Sequence, residues 1–141
     1  MRVAASVLAA VALMGCGLLP AGTPDWVTNR PELPACGTED GGFDLEARTC
    51  LLESFEAGRG AELISTQSTI EGDPITQYLR VHLDGTIEIF VDATQDEFGS
   101  GEWQRIRCRD LIAVEEFDDP PDRVLPAAMV FVEDGCEEMA T

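Results

Sequence analysis

Two segments of alternating apolar and polar residues, joined by a short turn sequence, constrain the fold of this chain more than any other feature. Residues 75–82 and 86–92 both alternate with a period of two, which is the pattern of a β-strand with one buried face. A three-residue loop over 83–85 pairs Val81 with Ile87, whereas a two-residue loop would pair apolar with acidic side chains. The sequence therefore predicts an antiparallel hairpin in the first of these registers.

The segment 44–57 predicts a helix that packs on this hairpin. Asp44 is a favourable N-cap residue, and Gly58 can end the helix. The residues that share the apolar face at helical spacing are Ala47, Cys50, Leu51 and Phe55.

Further strands are predicted over 62–70, 103–114 and 128–132. A short turn after Ile70 is expected to pair it with Ile75. The predicted fold class is α+β, with one N-terminal helix packed on an antiparallel meander of four or five strands.

The charge balance excludes one large class of partner. The chain has 141 residues, with 27 acidic and 9 basic side chains and a net charge of −18. No basic patch is available to bind phosphate backbones, so nucleic acid is not expected as a partner. Residues 115–126 are rich in acids and prolines and predict a surface loop near the C-terminus.

The N-terminus predicts export and attachment to a membrane. Residues 3–14 form an apolar run with the length of a signal-peptide core, too short to span a bilayer. The run ends in Leu13-Met14-Gly15-Cys16, which resembles the bacterial lipobox. The resemblance implies a diacylglycerol on the sulfur of Cys16 and cleavage before that residue. An ordinary signal peptide with a chance cysteine is the alternative.

These features divide the chain into three parts. Residues 1–15 are predicted to be a lipoprotein signal peptide, 16–35 a tether, and 36–141 a single domain. The tether is rich in proline and has no helical or strand period. Its only bulky apolar pair, Trp26 and Val27, either docks on the domain or the membrane interface, or packs loosely. The expected location is the extracytoplasmic face of the cell membrane.

The other four cysteines predict two disulfide bonds, because an exported chain with an even number of cysteines is usually oxidised. The favoured pairs are Cys36–Cys50 and Cys108–Cys136, and the two other pairings remain alternatives. The first would clip the tether to the helix, and the second would tie the C-terminal tail to the sheet. A zinc site is disfavoured, since the chain has no CxxC pair and only one histidine.

Several short runs resemble a domain of unknown function found in small lipoproteins of Gram-positive bacteria, including secreted actinobacterial versions. The most specific run is Ile70-Glu-Gly-Asp-Pro-Ile75, followed by Leu83-Asp-Gly-Thr-Ile87, by residues 92–99 and by Arg107-Cys108. The resemblance implies an envelope location and a small α+β domain. It implies no activity and no cofactor.

Catalytic motifs are not evident in the sequence. His82 is the only histidine, and it shares a predicted strand face with Tyr78 and Arg80, which favours a structural role. No G-x-S-x-G sequence and no phosphate-binding glycine loop occur. The chain is therefore predicted to be a non-catalytic binding or structural module. The alternative is an extracellular hydrolase that uses His82 with a carboxylate, and a carboxylate of raised pKa beside His82 would favour it.

Acidic residues are predicted to gather at one edge of the sheet. The chosen register pairs Asp92 with Thr76, which brings the end of one strand beside the turn that precedes the other. The carboxylates of this candidate binding edge are Glu71, Asp73, Asp92, Asp96 and Glu97. An envelope protein partner, a calcium ion and simple turn hydrogen bonds are three readings of such an edge. No metal is predicted outright, because the spacing does not match an EF-hand loop.

Overall fold

The computed structural model describes residues 22–114 and 127–140. In chain order the elements are α1 (Asp25–Thr28), β1 (Ala35–Asp40), α2 (Leu45–Glu56), β2 (Ala61–Ser68), β3 (Pro74–Val81), β4 (Ile87–Asp92), β5 (Trp103–Cys108), β6 (Asp110–Ala113), a 3-10 turn (Ala127–Met129), β7 (Phe131–Asp134) and β8 (Glu137–Glu138). The predicted acidic loop over 115–126 lies outside the described residues.

The β3–β4 hairpin has the predicted register. Val81 pairs with Ile87, and Leu79 pairs with Ile89, so these four apolar side chains lie on one face. Gly85 in the connecting loop has a φ of +80°, a conformation that glycine adopts without a steric penalty. The hairpin register is thus confirmed, together with the pairing of Asp92 with Thr76.

The main sheet differs from the predicted meander. Its six strands follow the order β1-β2-β3-β4-β5-β8, and β6 and β7 form a separate two-stranded sheet. β1 pairs with β2 in parallel, because α2 connects them as a crossover. The prediction of four or five antiparallel strands is therefore wrong in number and in one orientation. The sequence of β1, Ala35–Asp40, lacks the alternation that would have revealed it.

The β2–β3 turn corrects a second prediction. Ser68 pairs with Pro74, and Ile70 lies outside the strand with its side chain fully exposed. The predicted pairing of Ile70 with Ile75 would place the apolar Leu63 opposite His82. In the observed register Leu63 lies opposite Leu79, which keeps both on the buried face.

The C-terminal strands also differ from the prediction. The segment predicted as one strand over 103–114 is divided after Cys108, and its second half, β6, pairs with β7 instead. The predicted strand over 128–132 begins only at Phe131, after the 3-10 turn. The division follows from the backbone: the amide of Arg109 donates to the carbonyl of Asp134, which starts the second sheet.

The helix α2 lies where it was predicted, although it is the second of two α-helices rather than the only one. The side chain of Asp44 accepts a hydrogen bond from the amide of Ala47 at 2.8 Å, as an N-cap residue does. Ala47 and Leu51 are buried against the sheet. The core between α2 and the sheet also contains Leu52, Ala61, Leu63, Leu79, Val81, Ile87, Ile89, Val91, Cys108, Leu111 and Phe131.

Both predicted disulfide bonds are present. Cys36 is joined to Cys50, so β1 is bonded to α2, and Cys108 is joined to Cys136, so the end of β5 is bonded to the C-terminal segment. Among residues 22–114 and 127–140, no helix is long and apolar enough to cross a membrane.

Candidate functional site

The face of the main sheet opposite α2 carries a row of alternating charges. Strand register places Glu62 opposite Arg80, Arg80 opposite Glu88, and Glu88 opposite Arg107. The row continues to Glu137 on β8, which pairs with Arg107. Oppositely charged neighbours across strands stabilise a sheet, so this row supports the strand order as well as the register.

Arg80 is the most buried charged residue of the row. Its side chain has no exposed surface, and its Nη1 atom lies 3.0 Å from Oε2 of Glu62. Its guanidinium also donates a hydrogen bond to the carbonyl of Pro31 and packs over the ring of Phe90. Burial lowers the pKa of Arg80, and the charge of Glu62 opposes that effect. The arginine is thus held by a carboxylate, a backbone carbonyl and an aromatic face.

Glu62 binds a second arginine, which comes from the N-terminal segment. Nε of Arg30 lies 3.1 Å from Oε2 of Glu62, and Nη1 of Arg30 donates to the carbonyl of Val27. The guanidinium of Arg30 lies 4.7 Å from the centre of the Tyr78 ring. One carboxylate on the sheet therefore holds both the buried Arg80 and the segment that lies over it.

The N-terminal segment from Gly22 to Pro31 packs along this charged face. Val27 has no exposed surface, and the ring of Trp26 lies 5.0 Å from that of Phe90 and 6.2 Å from that of Trp103. Of the alternatives left open for Trp26 and Val27, docking on the domain is the one observed. The part of the predicted tether that the structure describes is therefore packed on the sheet.

His82 belongs to the same face and contacts the carboxylate of Glu88. Its Nε2 atom lies 3.0 Å from Oε2 of Glu88, and the other oxygen of Glu88 accepts a hydrogen bond from Arg105. Burial of Glu88 acts to raise its pKa, but the hydrogen bond and charge of Arg105, with the charge of His82, outweigh it. The pKa of Glu88 is consequently lowered, which keeps the carboxylate ionised.

A second buried ion pair joins β1 to α2 and was not predicted. Nε of Arg48 lies 2.8 Å from Oε1 of Glu39, and both side chains are almost fully buried. The Arg48 guanidinium also lies over the rings of Phe43 and Phe131. In the sequence Arg48 follows the apolar Ala47 directly. Its burial could have been predicted only by assuming that the buried face of the helix includes position 48 as well.

The predicted acidic edge forms in part. The carboxylate of Asp73 accepts a hydrogen bond from the amide of Glu97 at 3.1 Å, which joins the β2–β3 turn to the β4–β5 loop. Asp73, Asp96 and Glu97 help to line a shallow cavity of about 430 Å³. Glu71 is exposed at the tip of the adjacent turn. These residues lie at one end of the domain, as the register required.

Two further carboxylates of the edge accept hydrogen bonds from residues that closely follow them in the chain. Oδ1 of Asp96 accepts from the amides of Phe98 and Gly99, and Oδ1 of Asp92 accepts from the amide and hydroxyl of Thr94. Asp92 is also buried. Within the described ranges, no group of three or more histidine, cysteine, aspartate or glutamate side chains has the geometry to hold a metal ion.

Beside this edge the chain from the N-terminus reaches the domain. Gly22, Pro24 and Trp26 line a cavity of about 390 Å³ together with residues of the β4–β5 loop, among them Thr94, Glu102 and Trp103. The lipidation candidate Cys16 lies outside the described residues, six positions before Gly22.

No family model matches this chain, and the chain matches no curated protein and no solved structure. The family resemblance therefore stays a prediction that rests on the runs quoted for it.

Proposed function

We propose that this protein is a lipid-anchored envelope lipoprotein on the extracytoplasmic face of the cell membrane. The observation that carries the proposal is the sequence Leu13-Met14-Gly15-Cys16 directly after a short apolar run. Two acyl chains on one cysteine give stable membrane attachment, which a single chain does not. The two disulfide bonds support an oxidising location outside the cytoplasm.

The folded part of the chain is proposed to be a non-catalytic binding or structural module. A carboxylate of raised pKa beside His82 would favour the hydrolase alternative, but the carboxylate found there, Glu88, has a lowered pKa. Both Glu88 oxygens are occupied, one by His82 and one by Arg105. This arrangement supports a structural role for the histidine cluster, in which His82 helps to hold β3 and β4 together.

Replacing the lipidation candidate tests the anchoring proposal. Cys16→Ala removes the only sulfur that could carry the lipid at the predicted site, so the protein should leave the membrane fraction and its N-terminal peptide should lose the acyl mass. Gly15→Ala is the matched control, because it keeps a small residue before the cleavage site and should leave both readouts unchanged. Membrane association of Cys16→Ala, with no change in peptide mass, would contradict the proposal.

Affinity capture from the native membrane tests the module. The tagged chain is expected to retain an envelope protein, and His82→Ala should retain the same protein in the same amount. The acidic edge is tested by the double variant Asp73→Asn, Asp96→Asn, which should lose that protein if the edge binds it. A hydrolytic activity that His82→Ala abolishes would reject the non-catalytic assignment.

A further inference from the structure

Three chain connections meet at one end of the domain. They cover residues 41–44, 69–73 and 93–102, and we call this the loop end. The amide of Gly41 donates to the carbonyl of Thr66, which places the first connection beside the end of β2. The hydrogen bond from the Glu97 amide to Asp73 joins the other two. The opposite end of the sheet carries the β3–β4 loop.

Exposed apolar side chains are concentrated at the loop end. Four large hydrophobic residues of the described chain are exposed: Leu45 at 59%, Ile70 at 101%, Leu83 at 78% and Phe98 at 77%. Ile70 and Phe98 belong to connections of the loop end, and Leu45 directly follows one. Single exposed apolar residues are normal, but a β-branched isoleucine at a turn tip has no role in turn geometry.

The chain that leads to Cys16 also leaves the domain at the loop end, since Gly22 shares a cavity with Gly101 and Glu102. Six Cα–Cα steps separate Gly22 from Cys16, so these residues are at most about 20 Å apart. The eight residues of β3 place Leu83 about 26 Å further along the sheet. A lipid on Cys16 would hold the loop end close to the bilayer and leave Leu83 remote from it.

We propose that the loop end faces the bilayer and that Ile70 and Phe98 insert between the lipid headgroups. This inference rests on the proposed lipidation of Cys16, which supplies the attachment, while the two apolar side chains set the orientation. The carboxylates around them, which include Glu71 and Glu97, repel anionic headgroups. The surface that fits the loop end is therefore a zwitterionic bilayer.

Fluorescence quenching by lipids with brominated acyl chains tests the orientation. The chain from residue 16 onwards, which contains every described element, is coupled through Cys16 to a maleimide lipid in phosphatidylcholine vesicles. Cys16 is the only cysteine outside the two disulfides, so coupling is specific. Phe98→Trp is compared with its matched control, Leu83→Trp, after subtraction of the parent signal from Trp26 and Trp103.

The expected result is at least two-fold stronger quenching of the tryptophan at position 98 than of the one at position 83. Ile70→Trp should behave like Phe98→Trp, and it gives a second reading if one variant folds poorly. Replacing half of the zwitterionic lipid by phosphatidylglycerol should reduce the quenching of the tryptophans at positions 70 and 98. Equal quenching at positions 98 and 83, or none at either, would overturn the orientation.

The chemical coupling keeps this test separate from the proposed function. If cells do not lipidate Cys16, the lipoprotein proposal fails, but the coupled chain still reports whether the loop end suits a bilayer. If cells do lipidate Cys16 and the tryptophan at position 98 is not quenched, the orientation fails and the lipoprotein proposal stands.

Discussion

Arg80 on β3 lies directly opposite Glu62 on β2, and Nη1 of the fully buried guanidinium is 3.0 Å from Oε2 of the carboxylate. Glu62 keeps partial exposure and has a second partner in Arg30, whereas Arg80 depends on Glu62 for its ion pair. Loss of Arg80 therefore leaves Glu62 with an ion-pair partner, whereas loss of Glu62 leaves Arg80 without its own.

Glu62→Gln is expected to lower the free energy of unfolding by about 3 kcal/mol, because it removes the carboxylate that contacts the buried guanidinium of Arg80. Arg80→Met should cost clearly less, about 1 kcal/mol, since Glu62 retains Arg30 and methionine fills similar space. Urea unfolding followed by tryptophan fluorescence, with the disulfides intact, measures both. Glu71→Gln, at an exposed site, is the control. A larger loss in Arg80→Met than in Glu62→Gln would contradict this account.

Glu88 should make stability depend on pH in the acidic range. Its pKa is lowered from the ordinary value of 4.5, so its ionised form stabilises the folded state. That contribution is complete above the unfolded-state pKa and is lost as the pH falls through the folded-state pKa. The difference in unfolding free energy between the parent and Glu88→Gln should therefore shrink as the pH falls below about 4.5. A difference that grows on acidification would mean that the pKa of Glu88 is raised, not lowered, by folding.

Val27→Ala tests whether the N-terminal segment is an integral part of the fold. Val27 has no exposed surface, so the substitution should leave a small cavity and cost about 1 to 2 kcal/mol. Leu83→Ala removes more apolar atoms but at an exposed position, and should change stability by less than about 0.5 kcal/mol. Thermal unfolding of the two variants compares them. Equal midpoints would mean that the segment contributes nothing to stability.

Removal of each disulfide should reduce stability by a similar amount. The bridges join cysteines that are 14 and 28 residues apart, so the loop-entropy relation gives about 3 and about 3.6 kcal/mol. The paired variants Cys36→Ser, Cys50→Ser and Cys108→Ser, Cys136→Ser are compared by urea unfolding. If the second pair costs less than the first, loop entropy does not set the order of the two contributions.

Local patterns in the sequence determined the central hairpin and α2. Alternation in β3 and β4 specified which residues face the core, and only a three-residue loop kept Val81 and Ile87 on the same face. Asp44 defined the start of α2 because an N-cap residue satisfies a free backbone amide locally. The disulfide pairing that the sequence favoured among three possibilities is the one observed.

Only part of the candidate site could be predicted from the sequence. The hairpin register alone pairs Arg80 with Glu88, so it implied two of the five residues of the charged row. Glu62 could not be added, because the turn after β2 was given the wrong length and its partner on β3 was displaced. Residues that hydrogen-bond within their own turns, such as Asp96, were predictable from turn chemistry.

Only the tertiary structure decided what lies over the charged face and how the sheet is completed. The parallel pairing of β1 with β2 depends on the crossover through α2. The packing of Val27 and Trp26 depends on contacts with strands more than fifty residues away. A short segment with no period of its own, like that around Val27, takes its conformation from the surface on which it is buried. Strand alternation and helix capping act between near neighbours and can be read from the sequence, whereas burial between distant segments exists only once the chain has folded.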